Sequence, residues 1–304
     1  MKISTKFETA KYPKLRVNMS SPRSFVTPLR YPGGKARLGE WLGSLMRHNG
    51  ISGGYYVEPY AGGAGAAIYL LTNGYVNNII INDADPAIYA FWWAILNDEE
   101  KFSELFSKTE TNMDSWYQQK DIVNNPEKHS TTELGFATFF LNRTNRSGII
   151  SAGVIGGKKQ EGKYKIDARY NKEKLLKRIK SINSLKNHIN VYNLDALELI
   201  ARKLPEEDSK CLVYLDPPYY VKGSQLYRNH YQPEDHSKIA DTVRKIRHPW
   251  LVTYDNCEPI RALYSQERNV EFSLRYSTHL SRPNATEIMF YDNLMLHDSP
   301  TLRR

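Results

Sequence analysis

Four consecutive residues, Asp216-Pro217-Pro218-Tyr219, combine a carboxylate, a rigid backbone and an aromatic ring directly after the apolar run 212–215. An aromatic exocyclic amine is a poor nucleophile because its lone pair is delocalised into the ring, so a catalyst must accept hydrogen bonds from its N–H groups. The Asp216 carboxylate and the Pro217 carbonyl oxygen can be those acceptors, and the two prolines hold them rigidly because each fixes φ. Tyr219 can stack on the heterocycle. The motif therefore predicts chemistry on such an amine, the structural alternative being a Pro-Pro turn that ends a strand.

A glycine-rich turn, Glu58-Pro59-Tyr60-Ala61-Gly62-Gly63, follows the β-prone run 55–57 and supplies a second candidate site. Backbone without large side chains lets a ligand approach closely, and the helix expected next offers free N–H groups. Asp83 stands about 20 residues after Gly63, the usual separation for a carboxylate that accepts hydrogen bonds from ribose hydroxyls. The Glu58 carboxylate would repel a pyrophosphate but attract a cation. These features favour a cationic ligand with a ribose, such as S-adenosylmethionine, over a dinucleotide, and a simple tight connection is the alternative.

Asp195 is a third polar residue that follows a β-prone run, here 189–192. Its carboxylate could accept a hydrogen bond from the adenine amino group of the same cofactor. The N-cap of a helix explains an aspartate at this place equally well. Both interpretations of Asp195 stay open on the sequence.

The elements that must position these residues alternate between two periodicities. β-prone runs occur at 55–57, 76–81, 189–192, 211–215, 251–254, 271–275 and 287–291, and helical spacing occurs at 38–46, 66–71 and 88–96. Such alternation predicts an α/β fold with a Rossmann-like, doubly wound sheet. Ligands bind such sheets beyond the carboxyl ends of the strands, which is where the candidate residues stand.

Residues 97–187 interrupt this alternation and are rich in Asn, Lys, Thr, Ser and Gly. We expect an inserted, mainly helical domain there, within which Leu175, Leu176, Ile179 and Ile182 form the apolar face of a solvated amphipathic helix. Residues 1–26 are basic and contain few large apolar residues in sequence, so they predict a flexible tail. A catalytic domain would then comprise residues 27–96 and 188–304.

Charge and composition restrict the class of partner. The chain has 304 residues and a net charge of +9 at pH 7, which favours a polyanion such as nucleic acid, although a basic protein can also be merely soluble. Cys211 and Cys257 are too few for a disulfide framework, and the scattered histidines show no metal-ligand spacing, so we expect no metal.

The sequence contains no apolar run long enough to span a bilayer, and residues 1–26 lack the apolar core of a secretory signal. We therefore expect a cytoplasmic protein.

In the order of its motifs, the sequence resembles the Dam-like class of adenine-N6 DNA methyltransferases. In that class the cofactor motifs precede a target-recognition insertion, and the Asp-Pro-Pro-Tyr motif follows it. The matching segments are Leu29-Arg30-Tyr31-Pro32-Gly33-Gly34-Lys35, Val57-Glu58-Pro59-Tyr60-Ala61-Gly62-Gly63, Ile81-Asn82-Asp83, Phe140-Leu141-Asn142-Arg143-Thr144-Asn145-Arg146-Ser147-Gly148 and Asp216-Pro217-Pro218-Tyr219. The resemblance implies that Tyr31, Lys35, Asp83 and Asp216 line an S-adenosylmethionine site. It also implies that Asp216 faces an adenine flipped out of duplex DNA.

The resemblance further implies that double-stranded DNA is the partner and that Arg143, Asn145 and Arg146 lie in the DNA-binding part. Related enzymes place an aromatic wedge near the position of Arg146, and because this chain has an arginine there, the resemblance leaves the target sequence open. We expect a monomer, associated with the nucleoid, for which a restriction endonuclease is a candidate companion.

Three alternative functions remain open on the sequence. N4-cytosine DNA methylation uses a similar motif that usually begins with Ser, and methylation of a protein glutamine typically uses Asn there, whereas this chain has Asp216. A catalytically silent DNA-binding module is the third alternative, and failure to bind S-adenosylmethionine would support it.

Overall fold

The computed structural model describes residues 27–31, 35–221, 231–275 and 284–297. The tail expected at 1–26 and the Pro32-Gly33-Gly34 part of the first matching segment lie outside the described residues. Seven strands of the described part form one sheet. They are β1 (Tyr55–Glu58), β2 (Asn78–Asn82), β3 (Ile189–Tyr192), β4 (Cys211–Leu215), β5 (Trp250–Asp255), β6 (Arg268–Arg275) and β7 (Asn284–Asp292). Each contains or overlaps one of the β-prone runs, so the predicted α/β sheet is confirmed.

The order of the strands is β3-β2-β1-β4-β5-β7-β6. Strands β1 to β5 are parallel, and β7 pairs antiparallel with both β5 and β6. From β1 the chain builds the sheet outward through β2 and β3, then crosses back to place β4 on the other side of β1. Ligands bind α/β sheets at such a topological switch point. The glycine turn follows β1 and Asp216 follows β4, so both motifs lie at the switch point.

Helices cover both faces of the sheet, as a buried parallel sheet requires. They are α1 (Gly39–His48), α2 (Gly65–Thr72), α3 (Pro86–Asn97), α4 (Glu99–Lys108), α5 (Met113–Asn124), α6 (Thr131–Thr144), α7 (Lys172–Asn183), α8 (Ala196–Lys203), α9 (Pro233–Val243) and α10 (Glu258–Leu263). The three helices expected from spacing near the amino end correspond to α1, α2 and α3. Along the part of the chain that the structure describes, no helix combines the length and the apolar character needed to cross a bilayer.

The segment between α3 and β3 is mainly helical and shares one hydrophobic core with the sheet. Helix α6 packs closely on α3 because Gly135 has no side chain: a Cβ there would lie 2.4 Å from the carbonyl oxygen of Ala90. Phe139 of α6 stacks on Phe91 of α3, with ring centroids 5.7 Å apart. The position of this segment relative to the sheet is therefore fixed by apolar packing.

Asn142 joins the helical segment to the beginning of the catalytic part. Its side chain is fully buried, accepts a hydrogen bond from the N–H of Arg30 at 2.7 Å, and donates to the carbonyl oxygens of Arg30 at 2.7 Å and Gly148 at 2.8 Å. Gly148 has φ +79°, and a Cβ there would lie 2.3 Å from the carbonyl oxygen of Arg30. The backbone at Gly148 therefore packs directly against the backbone at Arg30. One asparagine thus fixes the relative positions of Arg30 and the turn at 145–148.

We expect Asn142→Ala to lower the free energy of unfolding by about 2–3 kcal/mol, because it leaves buried backbone groups without partners. Urea unfolding followed by tryptophan fluorescence measures the change. Asn73→Ala is the matched control, since the exposed Asn73 side chain donates only to Tyr69 within its own helix end, and it should change stability by less than about 0.5 kcal/mol. Equal stability of the two variants would contradict the role given to Asn142.

Candidate active site

A buried cluster of charges lies beyond the carboxyl ends of β1 and β4. The Lys35 ammonium nitrogen is 2.8 and 2.9 Å from the two carboxylate oxygens of Asp216, and 3.6 Å from Oε2 of Glu287. The exposed fractions of the three side chains are 3% for Lys35, 16% for Asp216 and 2% for Glu287. A buried charge is costly unless it is paired, so the cluster holds together three segments that are distant in the chain.

The β5 residue Thr253 completes the surroundings of Asp216. Its hydroxyl donates to Oδ1 of Asp216 at 2.7 Å and lies 2.9 Å from the hydroxyl of Tyr214. A carboxylate offers about four lone-pair positions, and Lys35 with Thr253 uses three of them. The remaining position and the Pro217 carbonyl oxygen match the two N–H groups of an amine.

The loop after Asp216 is held by contacts with β5 and β7. Tyr219 is buried and its hydroxyl donates to the carboxylate of Glu287. The next two residues, Tyr220 and Val221, donate their backbone N–H groups to the carboxylate of Asp255 at 2.9 and 3.0 Å. The Pro217 and Pro218 side chains are buried as well. The motif is therefore rigid, as catalytic acceptors must be.

The glycine turn is held by contacts on several sides. The Gly62 N–H donates to Oδ2 of Asp83 at 2.9 Å, and the Gly62 carbonyl accepts from the indole N–H of Trp92 at 2.9 Å. Gly62 has φ +46°, and a Cβ there would lie 2.6 Å from Cε1 of Tyr31. Only glycine suits both the backbone conformation and the approach of the tyrosine ring. Tyr31, Gly62, Gly63 and Asp83, all expected in a cofactor site, are thus brought together.

Glu58 ends β1 as a buried carboxyl group beside the cluster. Burial, and next the neighbouring Asp216 carboxylate, raise the pKa of Glu58 well above its usual value, while the Ala67 N–H at the start of α2 and the Lys35 ammonium act in the opposite direction. No described residue donates a hydrogen bond to the buried Oε2 of Glu58. An acceptor with no partner, next to an anionic carboxylate, suits a cationic ligand.

Asp83 follows β2 and has both oxygens engaged, since Oδ1 accepts from the Asp85 N–H at 2.9 Å. Burial raises the pKa of this half-buried carboxyl group to about 7. The two hydrogen bonds from backbone N–H groups lower the pKa, but burial has the larger effect. The neighbouring Asn82 is fully buried and bonds both Pro59 O at 2.9 Å and Leu194 O at 3.0 Å. Asn82 thereby ties the loop after β1 to the loop after β3.

Asp195 is the N-cap of α8, and its side chain accepts from the Leu197 N–H at 2.8 Å. It is exposed, and its charge is close enough to raise the pKa of Tyr60, although burial is the larger cause of that shift. Tyr60 packs edge-on against Tyr231, with their hydroxyl oxygens 3.3 Å apart. Asp195 and Tyr60 therefore lie near each other, and the capping role of Asp195 accounts for one of its oxygens.

The residues expected to bind DNA lie in the last turn of α6 and in the turn that follows it, and they differ in accessibility. Arg146 is exposed, and its guanidinium group lies over Gly153. Asn145 is fully buried: its Oδ1 accepts from the Trp116 indole at 2.7 Å, and its Nδ2 donates to the carbonyl oxygens of residues 149 and 150. The Asn145 side chain makes these hydrogen bonds within the protein and so holds the turn that presents Arg146.

Several site residues were not predicted from the sequence. Thr253 and Asn82 lie at or near the carboxyl ends of strands. Ligands bind α/β sheets beyond these ends, so the reasoning used for the aspartates would also have indicated these two residues. The sequence indicates Glu287 more weakly, because it is only an acidic residue at the start of an otherwise apolar β-prone run. Among the described residues, no group of three His, Cys, Asp or Glu side chains is arranged to hold a metal ion.

The pKa of Asp83 predicts a pH dependence of stability. Because the folded pKa of about 7 exceeds the unfolded value of about 3.9, the folded protein binds this proton more tightly. The resulting stabilisation is full below the unfolded pKa and is lost as the pH rises through 7. In the Asp83→Asn variant an amide replaces the carboxyl group, and an amide does not titrate in this range.

The wild-type free energy of unfolding minus that of Asp83→Asn should therefore fall between pH 5 and pH 8. Urea unfolding of both proteins at several pH values measures this difference. The titration of every other group is the same in both proteins, so its contribution is removed by the subtraction. A difference that stays constant across this range would contradict the raised pKa.

The chain is similar to known methyltransferases. Residues 31–278 match the family described as D12 class N6 adenine-specific DNA methyltransferase. The chain is 23% identical over 240 residues to the Type II methyltransferase M.MjaIII of Methanocaldococcus jannaschii, covering 72% of this chain and 79% of the relative. A solved rRNA methyltransferase from Streptomyces viridochromogenes is 12% identical, covers 93% of both chains and has a TM-score of 0.38. The family match spans most of the sequence and confirms the resemblance carried by its motifs: the chain belongs to the D12 class of N6 adenine-specific DNA methyltransferases.

Proposed function

We propose that this chain transfers a methyl group from S-adenosylmethionine to N6 of an adenine turned out of duplex DNA, and that the reaction occurs at Asp216. Family membership implies methylation of adenine in DNA and dependence on S-adenosylmethionine. The observation that carries the assignment of residues is the rigid Asp216 carboxylate, which Lys35 and Thr253 hold at the switch point beside the glycine turn.

The cofactor half of the proposed site is formed by residues around the glycine turn. Asp83 would accept hydrogen bonds from the ribose, and the buried, unpartnered Oε2 of Glu58 would face positive charge. Tyr31 and the backbone of Gly62 and Gly63 would form the surface against which the cofactor lies. When bound, S-adenosylmethionine supplies an electrophilic methyl group on a sulfonium.

The target half is formed by the Asp-Pro-Pro-Tyr motif. Asp216 and the carbonyl oxygen of Pro217 would accept hydrogen bonds from the two N6–H groups, which localises the nitrogen lone pair for attack on the methyl carbon. The bond from sulfur to the methyl group would break as the N–C bond forms, S-adenosylhomocysteine would leave, and N6 would lose one proton to solvent. The Tyr219 ring would lie against the adenine, with its orientation held by the hydroxyl bond to Glu287. An adenine stacked in a duplex cannot reach a group this deeply placed, so the base must leave the stack.

The DNA-facing surface is proposed to include residues 97–187 and a group of four arginines, Arg30, Arg143, Arg169 and Arg178. The hydrogen bonds of these guanidinium groups within the described part go to backbone carbonyl oxygens. Burial, together with the positive charges of the other three arginines, lowers the pKa of Arg143 to about 10. Positive charges that have no carboxylate partner among the described residues suit DNA phosphates, which would relieve the repulsion between the arginines.

We expect Asp216→Ala to abolish methylation while DNA affinity changes little, because it removes the carboxylate that accepts from N6. Purified protein is incubated with S-adenosylmethionine and genomic DNA, and digested nucleosides are identified by mass spectrometry. The wild type should produce N6-methyladenine, and N4-methylcytosine or unmodified DNA would reject the proposed function.

Asp292→Ala is the matched control for Asp216→Ala. Asp292 is an aspartate at the end of β7 that pairs with Arg268 at the surface, so its removal should leave turnover at the wild-type level. Near-normal methylation by a folded Asp216→Ala protein would overturn the role of Asp216.

We expect Arg146→Ala to reduce discrimination between the methylated site and a duplex altered by one base pair, because the exposed Arg146 stands where relatives place a wedge. Rates on both duplexes are compared at matched salt for the wild type and the variant. Arg169→Ala is the comparison, and as a proposed phosphate contact it should lower binding to both duplexes equally and reduce the salt slope by about one. An unchanged ratio in Arg146→Ala would assign Arg146 to the DNA backbone instead.

A further inference from the structure

We propose that Glu287 is a positioning residue for methyl transfer, which receives the Lys35 ammonium when an adenine amino group docks on Asp216. The inference rests on the proposed function, because it requires Asp216 to be the acceptor for N6.

The need for such a residue follows from the contacts of Asp216. Lys35 donates to both carboxylate oxygens and Thr253 donates to one of them. The one remaining lone-pair position lies on Oδ2, which the ammonium also contacts at 2.9 Å, so an incoming N6–H group must share that oxygen with Lys35 and weakens the contact of the ammonium with Asp216. Lys35 is almost completely buried, so water cannot solvate the ammonium when that competition weakens its contact with Asp216, and a buried unpaired charge is strongly unfavourable.

Glu287 lies where a displaced ammonium can be received. Its Oε2 is 3.6 Å from the Lys35 nitrogen, whereas Oε1 accepts from the Tyr219 hydroxyl. A hydrogen bond of ordinary length requires a shift of the ammonium by less than roughly 1 Å. Lys35 can thus change its principal partner with a small side-chain movement and remain charged and paired throughout.

The sheet explains why an acid so distant in sequence is available. Glu287 pairs in register with Asp255, the last residue of β5. Because β7 runs antiparallel to β5, the early residues of β7 lie at the carboxyl edge of the parallel strands, beside the loop that follows β4. This register places the Glu287 side chain between Lys35 and Tyr219.

The exchange also affects the strength of Asp216 as an acceptor. While Lys35 is bound to it, the carboxylate charge is largely neutralised. When the ammonium moves to Glu287, it no longer shares the Asp216 oxygen that accepts from N6–H, and that hydrogen bond can then take its best length and direction. Glu287 therefore acts on the reacting nitrogen through Lys35, without touching the substrate.

The test is the Glu287→Gln variant, which keeps the size of the side chain and an acceptor for Tyr219 but removes the charge that receives Lys35. We expect kcat to fall about tenfold or more, the effect of losing one interaction with a charged group. KM for DNA and the calorimetric Kd for S-adenosylmethionine should change by less than about twofold. Flipping of 2-aminopurine at the target position, a base that lacks an amino group at C6, should match the wild type.

Two further variants separate this role from a purely structural one. Tyr219→Phe removes the hydroxyl that donates to Glu287 and should reduce kcat less than Glu287→Gln does. The double variant Lys35→Met with Glu287→Gln should have the same kcat as Lys35→Met alone, because Glu287 has no ammonium to receive in either. The comparison of the double variant with Lys35→Met also tests the role of Glu287 if Glu287→Gln alone does not fold, because the double variant has neither the Lys35 charge nor the Glu287 charge.

The outcomes distinguish this inference from the proposed function. If the wild type methylates adenine but Glu287→Gln keeps full kcat, or the double variant is clearly slower than Lys35→Met, the role of Glu287 is wrong and the function stands. An equal loss in Tyr219→Phe and Glu287→Gln would likewise overturn it in favour of Tyr219 orientation. Absence of N6-methyladenine with the wild type would reject the function itself.

Discussion

The Lys35 ammonium is buried between Asp216 and Glu287, and the geometry of the catalytic edge depends on this pairing. The three residues come from the start of the described chain, from the loop after β4 and from β7. Removal of one member of a buried ion cluster leaves an uncompensated charge, which typically costs about 3–5 kcal/mol. The cluster therefore restricts how far these three segments can move apart, and it does so at the switch point of the sheet, where α/β folds bind their ligands.

Around the charge cluster, loops that carry functional residues are held by buried asparagine side chains. Asn82 bonds the loops after β1 and β3, Asn142 joins Arg30 to the turn after α6, and Asn145 closes that turn against Trp116. An asparagine suits this purpose because its amide offers donors and an acceptor without charge. Buried backbone groups that strands and helices do not satisfy are thereby paired. The loops can be irregular, as binding requires, and still be well positioned.

The protein separates two signs of charge. Around the switch point, Glu58 and Asp216 are close enough for their repulsion to raise the pKa of Glu58, and a cation bound there would relieve that repulsion. On the insertion side, Arg143 lies among three further arginines whose repulsion lowers its pKa. Both groups of like charges destabilise the free protein and favour binding of the opposite charge. These two groups of charges suit the cationic cofactor and the polyanion of the proposed function.

The sequence alone determined the strands, several helices and the order of the motifs, because β-prone runs, helical spacing and strand-end residues are local properties. It also placed Asp216 and the glycine turn at a common edge, since the carboxyl ends of parallel strands coincide. Only the tertiary structure showed that Glu287 joins Lys35 and that Asn145 faces inward. Each of these depends on the register of an antiparallel strand or on packing between distant segments, and residue type and local spacing carry no information about either.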